Sequence, residues 1–401
     1  MRNYSRDVVI IGGGLAGLTA AAVVAQAGRS VVVVERLREV GGAARSTTTD
    51  GFTFNRGPHA LAAGGAAHRG LEELGVRIRG GKPPFDGRVV FADRAEIAPA
   101  GPMSLLRTKA FTVREKVEVA KLFGRIPKLN ASTFAETSAS DWVAGEVQSA
   151  RATELIHALV RLGTYCHAPD HLSADVAILQ LQAGLRGDGV IYVDGGWQSL
   201  IDQLCVRARV EIVTGEGLRE LPDAPAVIVA VGGPAVAAGL LDASFDVGPS
   251  ARASCLDLGL RRRPQEDLVI GGDVPFYFSN HSAVADLAPS DHWHAAVVQY
   301  LGEADEPDVA AIDAFSRYAG VADDDVVVRR RLHTMTVSTS IPTAKLGGLA
   351  GRPGITDSGH ANVFLAGDWV GPVGHLADAS VASGRAAANA ALAALDRRRV
   401  S

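Results

Sequence analysis

DVVIIGGGLAGLTAAAVVAQAGRSVVVVERLREVGGAARSTTTDGFTFNRGPH, residues 7 to 59, is the stretch around which the chain is arranged. Val8, Val9, Ile10 and Ile11 form a short, wholly apolar run, as a central strand of a parallel sheet requires. The run meets Gly12-x-Gly14-x-x-Gly17 and passes through Leu15 and Ala16 into an Ala-rich helical stretch that ends near Gly28. Val31 to Val34 supply a second buried strand, closed by Glu35 and Arg36. These are the parts of a βαβ nucleotide-binding unit in order. Gly12 permits the tight turn, Gly14 lets a pyrophosphate approach the backbone, and Gly17 lets helix and strand pack closely. The helix N-terminus offers free N–H groups and a positive dipole end to phosphates. Glu35 stands where a carboxylate accepts bonds from ribose hydroxyls. The reading is a dinucleotide-binding protein of the α/β class.

Composition narrows the remaining classes. At 401 residues the chain is long enough for two domains or one large one. It is 47% apolar and 21% charged, and its formal net charge of −4 sets up no field that favours nucleic acid. Cys166, Cys205 and Cys255 are odd in number and contain no CxxC, which argues against a disulfide framework or a zinc site and points to a cytoplasmic location. The apolar run from Val8 to Ala27 is explained by a buried βα unit, and no other run approaches the roughly 18 apolar residues of a membrane span.

Further along, Leu71, Leu74 and Val76 suggest a short helix running into a strand, and Val89 to Phe91 another strand. Between Thr112 and Ile126 the spacing predicts an amphipathic helix. Val119, Leu122, Phe123 and Ile126 share one face, and Arg114, Lys121 and Arg125 share another. Such a basic helix is either a solvated element or one that lies on a membrane surface. Residues 138 to 185 read as mainly helical. Val210 to Val213 and Ala226 to Val231 read as strands returning to the nucleotide sheet, and residues 253 to 332 as strands followed by a helical stretch near Asp308. Near the C-terminus, Asn362 to Leu365 is a short apolar strand ending in Gly367-Asp368. A turn with Gly371 and Gly374 follows, then His375, and an Ala-rich helix from Leu376 to Leu395.

Six residues after Glu35 comes a second glycine pair, Gly41-Gly42, followed by Ala43, Arg45 and the segment Gly57-Pro58-His59. A nicotinamide enzyme has no need of this pair. It resembles the extension in the FAD-dependent phytoene desaturase and flavin amine oxidase superfamily. The Gly367-Asp368 ending resembles that superfamily's C-terminal flavin segment. Asp141-Trp142, Arg161-Leu-Gly-Thr-Tyr165, Asp194-Gly-Gly-Trp197 and the run from His281 to Pro289 resemble its phytoene-dehydrogenase-like branch. The resemblance implies a Rossmann-like FAD-binding domain from residues 1–65, 190–250 and 336–401, with an α+β substrate domain from 66–189 and 251–335. It implies FAD contacts at Gly12, Gly14, Leu15, Ala16, Gly17, Glu35, Arg36, Gly41, Gly42, Ala43, Arg45, Gly57, Pro58, His59, Gly367, Asp368, Gly374, His375 and Leu376, with FAD held non-covalently. The implied activity is dehydrogenation of a lipophilic or polycyclic small molecule by hydride transfer to flavin. Oxidation of a CH–NH bond and flavin-dependent isomerisation are the alternatives. The chain is shorter than carotenoid desaturases usually are, and no match to the flavin-facing lysine of amine oxidases is found; Lys345 lies instead on the approach to the C-terminal segment.

His59 is the candidate titrating group near the flavin ring, because an imidazole exchanges a proton near neutral pH; bonding a loop backbone is the equal alternative. Tyr165 and His167 read as core, surface or cavity-lining residues. His292 and His294 share one face of a strand but have no third ligand nearby, so no metal is expected. No GxSxG nucleophile elbow and no second GxGxxG occur.

Overall fold

The computed structural model describes residues 4–84, 86–187 and 189–400. Two sheets organise it. The first is parallel and five-stranded, in the order Glu211–Thr214, Val31–Glu35, Val8–Ile11, Ala226–Val229 and Val363–Leu365. Val8–Ile11 is central, and all four of its residues are buried. That is why it carries no polar alternation. Val8 and Ile10 pack on the Leu15–Gln26 and Ala377–Val400 helices, whose Ala-rich faces let backbones approach. Val9 and Ile11 pack into clusters on the opposite face.

The second sheet is mixed and seven-stranded, in the order Val326–Ser338, Ala251–Leu260, Trp293–Leu301, Phe276–Asn280, Leu268–Gly271, Arg88–Phe91 and Arg94–Ile97. Its pairings are antiparallel except that of Leu268–Gly271 with Arg88–Phe91. One face, with Leu256, Leu258, Phe278 and Val297, covers the Val309–Phe315 helix. The other is turned towards residues 52–59 and 162–165.

The helix predicted between Thr112 and Ile126 is present as Val113–Arg125. The Thr112 hydroxyl caps the Glu115 N–H and the Glu115 carboxylate reaches back to the Thr112 N–H. Val119, Leu122 and Ile126 are buried against the Ala139–Glu146, Ala150–Thr164 and Ala174–Arg186 helices, within the stretch expected to be mainly helical. The strand expected after Leu74 is absent. The Ala66–Glu73 helix ends in a turn at Gly75, and Val76 is spent filling the core beneath it. A ladder begins only at Gly80–Gly81.

Candidate functional site

The C-terminal edge of the parallel sheet gathers the glycine loops, as open α/β sheets do where they bind ligands. Gly12 follows Ile11 with φ +109, its N–H donates to the Val34 carbonyl at 2.8 Å, and a Cβ there would lie 2.2 Å from the Ala230 oxygen. Only glycine fits. Gly14 caps the Leu15–Gln26 helix in an extended conformation, and a Cβ added to it meets nothing within 4 Å. The backbone at the helix N-terminus is therefore open to a ligand, while Leu15, Ala16 and Gly17 are buried in its first turn. Gly41 donates to the Gly13 carbonyl at 2.7 Å, which lays the second glycine pair beside the first; Gly42 packs next to Gly14.

Glu35 is half-buried and uses both oxygens locally: Oε2 accepts from Gly13 N–H and Oε1 from Leu37 N–H, each at 2.7 Å. Arg36 is exposed, with its stem against Gly217. Ala43 is exposed in the Gly42–Ala44 turn, and Arg45 pairs with Glu39. Gly57 and Pro58 are buried. The His59 Nδ1 meets the Gly57 carbonyl at 2.8 Å, and its ring stands edge-on to Trp197. Burial lowers its pKa, against the opposing pull of the Gly57 and Ala43 backbone.

Gly367-Asp368 leaves the Val363–Leu365 strand at the same sheet edge. The Asp368 carboxylate accepts from Thr339 N–H (2.8 Å), Thr339 Oγ1 (2.5 Å) and Ser338 Oγ (3.0 Å), so it joins this segment to the end of the mixed sheet. Arg352 donates to the carbonyls of Asp368 (3.0 Å) and Gly374 (2.9 Å), shaping the turn before the last helix. His375 is buried with Nε2 2.9 Å from the Thr164 carbonyl, and burial takes its pKa down to about 4. Leu376 enters the helix with φ +53. The open backbone at Gly14, the helix N-terminus and the carboxylate at the end of the Val31–Glu35 strand fit a dinucleotide.

Register places a second set of residues opposite these loops. Cys255, Asp257 and Gly259 pair with Val298, Ala296 and His294 on one side, and Cys255 and Asp257 with Leu332 and Arg330 on the other; Tyr277 and Ser279 extend the same face. Asp257 is fully buried. Its Oδ2 accepts from Arg330 Nε (2.9 Å) and Nη2 (2.5 Å), and its Oδ1 lies 3.5 Å from His294 Nε2. Arg330 also donates to Thr47 Oγ1 (3.0 Å) and to the Asn55 carbonyl, with its guanidinium over the Phe54 ring. The pair thus staples the Ser46–Thr49 and Phe52–Asn55 hairpin onto the sheet. Burial alone would raise the Asp257 carboxyl, but His294 and Arg330 outweigh it and hold it below its ordinary value.

His281 stacks on Tyr192 and meets His294 edge-on, and neither of its nitrogens has a partner among the described residues. Burial, reinforced by His294, takes its pKa down to about 3. Tyr165 occupies the left-handed C-cap of the Ala150–Thr164 helix, which carries its ring into a trio with Tyr277 and Tyr300. The Tyr165 and Tyr277 hydroxyls are 2.6 Å apart. Burial raises all three phenols, so they stay neutral. The face is largely apolar and aromatic, and its Asp257 carboxylate is already engaged by Arg330 and His294.

Sequence reasoning found the glycine loops and missed the Asp257–Arg330–His294 group. A signal existed in the lone carboxylate at Asp257 within the apolar run from Ala253 to Leu260. His294 is buried on Asp257, whereas His292 bonds the Ser290 carbonyl. Among the described residues no group of three metal-ligating side chains is found. Lys345 is exposed.

Comparison with known proteins agrees with this geometry. Residues 10–74 match the NAD(P)-binding Rossmann-like domain. A 4,4'-diapolycopene oxygenase of a Methylomonas species is 48% identical over 59 residues, 15% of this chain and 12% of that protein. A carotenoid 3,4-desaturase of Haloarcula japonica is 44% identical over 52 residues, 13% and 10% of the two chains. The chain thus matches about a tenth of the length of these curated relatives. Likeness of fold extends much further. The structure of a putrescine oxidase bound to putrescine superposes with a TM-score of 0.74 at 16% identity, covering 97% of this chain and 99% of that one. A putative protoporphyrinogen oxidase from Exiguobacterium sp. 255-15 gives 0.72 at 19% identity, covering 98% and 100%. The protein is of the Rossmann-like dinucleotide-binding class. Its N-terminal segment is similar to that of the carotenoid oxygenases and desaturases, and its fold is that of the amine and protoporphyrinogen oxidases.

Proposed function

We propose that the protein is an FAD-dependent oxidoreductase that dehydrogenates a lipophilic or polycyclic small molecule, with FAD held non-covalently. The observation that carries this reading is the buried apolar and tyrosine face of the mixed sheet, stapled against the loop that follows the second glycine pair. Bound flavin would supply the hydride acceptor. Gly14 and the helix N-terminus would hold its phosphates, and Glu35 its ribose. Tyr277, Tyr300, Val298, Leu332 and Met335 would orient an apolar substrate and exclude water, while the Asp257–Arg330 pair fixes the hairpin that brings Gly57 to the sheet. Amine oxidation is disfavoured because the Asp257 carboxylate on this face is engaged by Arg330 and so does not greet an ammonium group. The test is reconstitution with FAD, then anaerobic titration with apolar alkenes and polycycles against primary amines. Bleaching by the apolar set supports the proposal; bleaching by amines alone overturns it. Acid precipitation should leave the yellow chromophore in the supernatant.

We also propose peripheral contact with a membrane, the reservoir of such substrates. The Pro102–Arg107 and Val113–Arg125 helices expose Met103, Leu106 (69%), Val113 (80%) and Val117 beside Arg107, Lys109, Arg114 and Lys116. Among the described residues no helix is long and apolar enough to cross a membrane. Co-sedimentation with anionic vesicles that is lost in Leu106→Glu/Val113→Glu supports this contact; equal sedimentation of both proteins refutes it.

A further inference from the structure

The Ala150–Thr164 helix carries His157 and Arg161 four residues apart, with Tyr165 four further on at its C-cap, so all three lie on one side of it. Arg161 is only 8% exposed. Its bonds all come from one nitrogen: Nη2 donates to the carbonyls of Gly271 (3.1 Å), Gly272 (3.1 Å) and Val274 (3.3 Å). Among the described residues Nε and Nη1 have no partner, and no carboxylate pairs with this guanidinium. Asp273, whose charge reaches it, accepts from Ala92 N–H at 2.7 Å and stands 4.0 Å from Arg151. A carbonyl clamp needs a donor, which a neutral side chain supplies equally well. It does not account for a positive charge so little exposed with no carboxylate in contact with it, an arrangement that is costly unless something offsets it.

The neighbouring groups are unpaired as well. Tyr300 is 2% exposed, and its hydroxyl has no partner. Its backbone N–H donates to Pro275 at 2.8 Å, which sets its ring beside the turn that Arg161 clamps. His157 Nε2 and His167 Nδ1 are buried without partners, and both rings feel the Arg161 charge. Asp305, near His167, is taken up by Gly302 N–H at 2.8 Å. Buried polar groups without partners thus surround the Arg161 charge beside the tyrosine trio.

We propose that Arg161, with the Tyr300 hydroxyl and the His157 imidazole, forms an oxyanion subsite that takes the carboxylate or phosphate end of an otherwise apolar ligand. The proposal rests on reading the tyrosine face as the ligand surface, and it defines the substrate class: an apolar body with one anionic end. The ligand's oxygens accept from Arg161 Nε and Nη1 and supply the missing counter-charge, while the tyrosine trio packs against the chain or ring that follows.

The test is binding to the FAD-reconstituted protein, read by equilibrium dialysis and thermal shift, with decanoate, decyl phosphate, decan-1-ol and inorganic phosphate as probes. A charge-assisted pair of this kind favours one of the two decyl anions over decan-1-ol by about ten- to a hundredfold. The tighter anion identifies the end group. Arg161→Gln, which keeps a donor for the carbonyl clamp, should erase the preference and leave decan-1-ol affinity unchanged. Tyr300→Phe should reduce the preference severalfold with the fold intact, and it decides the matter if Arg161→Gln does not fold. Equal binding of anions and alcohol by the unaltered protein, a preference that survives both substitutions, or inorganic phosphate binding as tightly as the decyl anions would overturn the subsite. The readout is affinity rather than turnover. A protein that binds decanoate selectively while no apolar compound bleaches its flavin would refute the proposed function and leave the subsite standing.

Discussion

Replacing Arg330 by Met removes the partner of a fully buried carboxylate while keeping most of the side chain's volume. Asp257 would be left with the His294 imidazole at 3.5 Å, and the Thr47, Phe54 and Asn55 acceptors would lose their donor. Removing one member of a buried pair costs about 3–5 kcal/mol, because the other charge stays desolvated. With unfolding entropy of about 2.1 cal/mol/K per residue, that corresponds to a fall in Tm of roughly 4–6 °C if the whole chain unfolds in one step. The pH dependence is the sharper readout. In the unaltered protein the Asp257 carboxyl is held below its ordinary value, so its contribution is present above the unfolded pKa and is lost as pH falls through the folded one. In Arg330→Met, burial is no longer offset by the guanidinium, and folding draws a proton onto Asp257. That contribution has the opposite sign and is lost as pH rises. The stability gap between the two proteins therefore widens from pH 4.5 to pH 8. Urea unfolding followed by circular dichroism at four pH values measures it, and Asp257→Asn/Arg330→Met should recover more than half of the loss at pH 8. A gap below about 1 kcal/mol, or one that does not change with pH, would refute the staple.

Glu35→Ala removes the acceptor for Gly13 and Leu37 N–H and the proposed ribose contact, so FAD affinity should fall about ten- to a hundredfold; unchanged affinity in a flavin titration counts against the site. His59 is engaged by the Gly57 and Ala43 backbone and kept neutral by burial, so His59→Gln should slow flavin reduction by less than about tenfold. A loss of about 100-fold or more with FAD fully bound would show a chemical role instead. Burial pushes the Cys166 thiol up to about 12 and the Cys255 thiol well above its ordinary value, so a thiol reagent at pH 8 should modify neither until urea is added. Rapid labelling of either in the folded protein would place it in an opened region.

The parallel sheet was legible because its signals are local. Val8–Ile11 and Val31–Val34 are buried on both faces, so they read as unbroken apolar runs, and the glycines between them report backbone geometry at fixed spacing. The amphipathic helix was legible for the same reason: its face and its Thr112 cap are set within one segment. Leu71 and Leu74 announced a helix that is present, whereas Val76 misled because it belongs to the turn after that helix and not to a strand. Of the candidate site, the loops at Gly12–Gly17 and Gly41–Gly42 could be read, whereas the sheet face could not. Arg330 lies 73 residues from Asp257 and 275 from Asn55. No local pattern links three positions so far apart.

Register is what the sequence hides most completely. Strict alternation along Val326–Ser338 would put Arg330, Leu332 and Thr334 on the inner face. The pairing shifts between Ala253 and Cys255, so that Cys255 faces Leu332 while Ala253 faces Met335. This bulge puts Met335, in place of Thr334, beside Gly57. A Cβ on Gly57 would lie 2.4 Å from the Met335 sulfur. One extra residue in one strand therefore decides whether the loop after the second glycine pair rests on a thioether or on a hydroxyl. A polar group there would need a hydrogen-bond partner in a site otherwise suited to excluding water. The apolar character on which the proposed chemistry depends is thus set partly by a backbone irregularity that neither composition nor periodicity records.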